Sequence, residues 1–100
     1  MVVKILPNDK GSPSGKLADA ELHFTEGALQ GMRLLGFAVW EPRTGTRRTV
    51  TFPARSYSVN GERRSFSLLR PATDASAQDH VRDLVLAAYS EFEAQAAVAS

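Results

Sequence analysis

Residues 47–71 read RRTVTFPARSYSVNGERRSFSLLRP, and this stretch decides most of what the chain can fold into. Asn60-Gly61 is the strongest hairpin signal in the sequence, because both residues tolerate the positive φ that a two-residue turn demands. Short β-prone segments flank it. Thr49 to Phe52 alternates, with Val50 and Phe52 inward and Thr49 and Thr51 outward, and Arg63 to Leu69 carries Phe66 and Leu68 on one face. Pro53 ends the first segment or kinks its edge, since proline has no N–H to give to a ladder. The same 25 residues hold Arg47, Arg48, Arg55, Arg63, Arg64 and Arg70 against Glu62 alone, a net +5 in a chain of formal charge +1. Basic charge concentrated on a hairpin points to an anionic partner.

Upstream, residues 17–24 alternate cleanly. Ala18, Ala20, Leu22 and Phe24 fall on one face and Asp19, Glu21, His23 and Thr25 on the other, the pattern of a half-buried strand. Val2 to Leu6 reads as a short first strand. Between them, Pro7 to Lys16 (PNDKGSPSGK) is rich in Pro, Gly and Ser and reads as a mobile loop. Glu26-Gly27 and the segment Arg43 to Thr46 are turn signals. Ala28 to Trp40 reads as a strand that is apolar on both faces. Leu35, Phe37 and Val39 share one, and Leu34, Ala38 and Trp40 share the other. Such a strand is covered twice or meets another subunit.

Downstream, Val81, Leu84, Val85, Ala88, Tyr89 and Phe92 recur at helical spacing. Asp79, Arg82, Asp83 and Glu93 take the opposite side. Asp74 or Ser76 can cap the start, and Asp79 suits the positive end of the helix dipole. The spacing predicts a helix over about residues 76–94 and a frayed tail at 95–100. The expected plan is α+β: one domain over residues 1–100, with an antiparallel meander of four to five strands packed against one C-terminal helix.

Composition excludes several function classes. The chain has 100 residues, 43% of them hydrophobic and 23% charged, as in an ordinary soluble domain. With no cysteine there is no disulfide, thiol nucleophile or thiolate metal site. The start, MVVKILPNDK, is no signal peptide, and no apolar run approaches the roughly 20 residues of a membrane span. A cytoplasmic location is expected, with no membrane association.

Candidate chemistry is sparse. His23 lies on a polar strand face and His80 in the first helical turn, and neither has a ligand-spaced neighbour. Ser56 lacks an elbow motif and a nearby histidine. Asp19 and Glu21 share a face at about 6.5–7 Å, a spacing that a two-carboxylate site can use but that exposed strands commonly show. The glycines, including Gly27 and Gly31, build no phosphate loop. No catalytic residue, metal site, cofactor or small-molecule substrate is expected. The arginines remain. Their planar fork suits phosphate, and Tyr57 lies among them, able to stack on a base. Two other readings of the same charges stay open: a solvated strand edge guarded against aggregation, and a surface for an acidic protein partner. From Asp74 to Glu93 the helix carries net −4, so nucleic acid would meet the hairpin and not the helix.

The order of these features resembles the stage V sporulation protein G (SpoVG) family of small bacterial regulators. ALQGMRLLGFAVWE is similar to the family strand that ends in a short turn. TVTFPARSYSVNGERRSFSLLRP is similar to its segment of apolar run, Pro, small residue, basic residue, turn, Gly-Glu and short strand. DHVRDLVLAAYSEFE is similar to its closing helix. The chain departs from the family pattern at Ser56, where a second basic residue is usual, at Arg63, where an aromatic is usual, and at Arg70, where His is usual, which marks a divergent member. The resemblance implies a homodimer that binds DNA or RNA without enzymatic activity. It carries Arg55 and Arg64 as binding positions, and charge alone adds Arg63 and Arg70. It also implies a second subunit over Leu34, Ala38 and Trp40.

Overall fold

A computed structural model describes residues 1–42 and 47–99, so the turn expected at Arg43 to Thr46 and the terminal Ser100 lie outside the described residues. Six strands and one helix follow in chain order: β1 (Val2–Pro7), β2 (Lys16–His23), β3 (Arg33–Trp40), β4 (Thr49–Thr51), β5 (Ala54–Val59), β6 (Glu62–Ser67) and α1 (Ser76–Ala99). The class is α+β, as expected. Among the described residues six strands form, however, and they divide into two sheets. β1-β2-β3-β4 make a four-stranded sheet in sequence order, and β5-β6 stand apart as a two-stranded one. All pairings are antiparallel.

The core lies between the four-stranded sheet and α1. Ala18, Ala20 and Leu22 from β2, Phe37 and Val39 from β3, and Val50 from β4 meet Val85 and Tyr89 of the helix. Ala18 and Ala20 of β2 are fully buried in this cluster, and its Phe37 packs against Phe52 with ring centres 5.1 Å apart. Val3 and Ile5 of the edge strand β1 pack against this cluster together with Phe92.

Two bulges set which side chains reach that core. Ala20 pairs with Phe37 but Leu22 pairs with Leu34, so β3 holds one residue more than β2 across this step. Leu35 and Gly36 together oppose Glu21, and the alternation of β3 reverses there. Leu34 therefore joins the core face with Leu22, and Leu35 is left half-exposed at 50%. The expected set of Leu34, Ala38 and Trp40 on one face is thus broken, because Leu34 packs inward. Gly36 carries the bulge at φ +106°, and a Cβ there would sit 2.8 Å from the Cβ of buried Pro53. In the second bulge Leu17 is the extra residue, which puts Lys16 and Asp19 on one face, 2.6 Å apart.

Other differences from the sequence reading are local. β3 starts at Arg33 and not at Ala28. Residues 27–32 form turns around Gly27 and Gly31, with the Gln30 N–H donating to Gly27 O and the Met32 N–H to Leu29 O. The loop between β1 and β2 is shorter than the expected Pro7 to Lys16, because Pro7 ends β1 and Lys16 opens β2, and within it the Asn8 side-chain amide donates to Ser12 O and Lys16 O. The helix runs to Ala99, beyond the expected stop near residue 94. Alanine is the best helix former, so EAQAAVA extends the helix where small size suggested fraying. At the other end the Asp74 carboxylate accepts the Ser76 N–H at 3.0 Å, and this bond holds its carboxyl below the usual carboxylate range.

Candidate nucleic-acid interface

β5 and β6 leave the sheet through Pro53 and return at Leu68, whose N–H donates to Pro53 O at 2.8 Å. Beyond that bond the hairpin is an arm. Every residue from Ala54 to Phe66 is exposed, and Ser67 is half-buried. Asn60 adopts φ +51° and Gly61 φ +82°, the two positive values of the turn that matches strand twist. The molecule is correspondingly long, 51 × 37 × 24 Å. Its radius of gyration is 15.1 Å, against about 13 Å for a compact chain of this length.

The register sorts the arm's side chains onto two faces. Arg55 pairs with Phe66, Tyr57 with Arg64 and Val59 with Glu62, and directly opposed residues share a face. One face therefore alternates arginine and ring in a checkerboard of Arg55, Phe66, Tyr57 and Arg64. The two rings touch across the strands, with centroids 5.7 Å apart, yet Tyr57 is 41% and Phe66 40% exposed. The other face carries Ala54, Ser56, Ser58, Arg63, Ser65 and Ser67.

The structure thus brings together Arg55, Arg64 and Tyr57 and separates the remaining candidates. Arg63 lies on the serine face. Arg70 lies past the arm, exposed beside a small hollow of about 120 Å³ lined also by Phe52, Leu69, Pro71 and Val81. Arg64 bonds to Glu62 at 3.1 Å, an exposed pair of the kind worth about 0–1 kcal/mol, so a phosphate can displace the carboxylate. Arg55 has no ion-pair partner among the described residues.

The dimer positions fare differently. Leu34 faces the core. Ala38 is buried within one chain, and Trp40, on the same face, donates from Nε1 to Thr51 Oγ1 at 2.9 Å. Arg48, one of the six arginines of the basic run, is structural. Its guanidinium makes a two-pronged bond to Glu93 at 2.6 and 2.8 Å and stacks 4.9 Å from the Tyr89 ring centre. Nothing local in the sequence marks that partnership, because 45 residues separate the pair. Phe66 was readable only as an apolar face residue; its cross-strand place beside Tyr57 follows from counting outward from Asn60-Gly61.

The carboxylates of β2 are engaged. Asp19 meets Lys16, and Glu21 accepts from His23 Nε2 at 2.9 Å and Arg33 at 3.4 Å. Among the described residues no three His, Asp or Glu cluster in a way that can hold a metal, and no helix is long and apolar enough to cross a membrane. No family model, no curated protein and no solved structure matches this chain.

Proposed function

We propose that the chain is a small non-enzymatic nucleic-acid-binding regulator that acts as a homodimer and holds DNA or RNA with the β5–β6 arm. The observation that carries this reading is the checkerboard of Arg55 and Arg64 with Tyr57 and Phe66 on one exposed face. Arginine supplies phosphate contacts and the rings supply stacking surface. An arm with nothing to bury is also an element in want of a partner, since an isolated two-stranded hairpin is marginal in water. A homodimer offers two such arms, so a contact too weak alone gains from the second.

The test is fluorescence anisotropy of the full chain against labelled duplexes and single strands over a series of salt concentrations. Binding is expected at low salt and is lost with Arg55→Ala combined with Arg64→Ala. Each single loss flattens the salt slope by about 0.7–0.9. Absence of binding at low salt, or indifference to the double variant, overturns the proposal. Arg and Tyr also anchor protein contacts, so the second reading is a dimeric module for an acidic protein partner. A partner retained in a pull-down after nuclease treatment favours it.

A further inference from the structure

The nucleic-acid reading leaves open which form of nucleic acid the arm takes, and two features of the ring face bear on it. The first is how little charge it carries. Arg55 and Arg64 are offset by Glu62 on the same face, while Arg63 points from the other. Two phosphate contacts per arm correspond to a salt slope of about −1.8 on a duplex, or about −3.6 for the two arms of a homodimer, still short of the slope of a duplex binder that makes about six to ten contacts. The second is the exposure of the rings. Tyr57 and Phe66 keep about two-fifths of their surface open although they touch each other. In a duplex the base faces are already stacked and closed to such rings. In a single strand they are available, and stacking on a side chain contributes about 1–3 kcal/mol per base, or roughly 5- to 150-fold in affinity per ring.

We propose that the ring face of the arm binds the unpaired bases of a single strand, with Tyr57 and Phe66 each stacking one base and Arg55 and Arg64 holding the flanking phosphates. The proposal rests on the nucleic-acid reading above and narrows it. Apart from the Tyr57 hydroxyl, this face offers no uncharged hydrogen-bonding side chain to recognise a sugar 2′-hydroxyl, because the four serines lie on the opposite face. DNA and RNA strands are therefore expected to bind alike.

The experiment compares labelled dT12, U12 and a 12-base-pair duplex against the full chain at low salt. The single strands are expected to bind at least about tenfold more tightly than the duplex, within about threefold of each other, and with a salt slope near −1.4 per arm. Because the Tyr57–Phe66 contact also steadies the arm, the informative variants are Tyr57→Leu and Phe66→Leu, which keep an apolar cross-strand pair and remove the ring. Each should lower single-strand affinity about fivefold or more and leave the salt slope unchanged. Leucine variants that bind like the parent overturn the inference. Equal or tighter duplex binding that depends on Arg55 and Arg64 also overturns it while leaving the proposed function standing. Duplex binding that depends on Arg63 and not on Tyr57 moves the contact to the serine face and overturns it as well. No binding to any of the three removes both readings together.

Discussion

Arg48 and Arg55 begin from the same run of basic residues and end in opposite roles. The guanidinium of Arg48 is held by both oxygens of Glu93 and by the face of Tyr89, and so ties the start of β4 to the last third of α1. Burial pushes the Tyr89 phenol up and the Glu93 carboxylate adds to that, while Arg48 pulls it back. The pair remains partly exposed, so its worth is modest. Arg48→Ala should cost about 1 kcal/mol, the sum of a surface ion pair and an exposed cation–π contact. Thermal unfolding should show this as a fall in Tm of about 4–8 °C. Arg48→Lys keeps the charge but not the fork or the planar stack, and should recover less than half of the loss. The resemblance nominates Arg55 and Arg64, and their place on one face follows from a turn five residues or fewer away. Arg48 was not legible, because its partners arrive only when the helix docks.

At the scale of elements, β3 shows where alternation stops being a sufficient guide. The pattern of β2 was legible because Ala18, Ala20 and Leu22 all reach the core in a regular run. In β3 the inserted residue reverses the pattern midway, and Leu34 and Leu35 exchange faces. Gly36 is the mark of that event, since it combines φ +106° with the approach of Pro53. Gly36→Ala should destabilise by about 2–4 kcal/mol, adding backbone strain to overpacking, and should lower the urea midpoint without changing m. The helix start gives a second, pH-dependent expectation. Asp74 has its carboxyl lowered by the bond from the Ser76 N–H. Its contribution is full above about pH 4, the unfolded carboxylate value, and fades as pH falls through the lower folded value. Asp74→Ala should remove that part of the acid dependence in denaturation curves taken between about pH 2 and 5, a window set by the same carboxylate value.

The whole molecule divides into a packed body and an arm, and stability and binding should divide with them. The Leu68 N–H to Pro53 O bond at the base of the arm is the bond that a four-residue β-turn makes. Replacing residues 54–67 by Asn-Gly should therefore leave a folded body. Its Tm is expected within a few degrees of the parent, because the excised residues are almost wholly exposed, and the proposed nucleic-acid binding should be lost with the arm. A collapsed Tm would show that the arm is part of the fold after all. The separation was not legible from patterns alone. Both hairpin strands look like members of the meander, and only the lack of a buried side in ARSYSV distinguishes β5 from the strands before it. The body's topology has one more consequence. Each of its four strands pairs with its neighbour in the chain, so the sheet can assemble stepwise through short loop closures that cost little entropy. The helix is the exception, because it must return from the end of the chain to lie on β1 at the beginning. A chain whose helix had not docked would leave the alanine and phenylalanine face of the sheet open to water, the kind of surface through which partly folded chains aggregate.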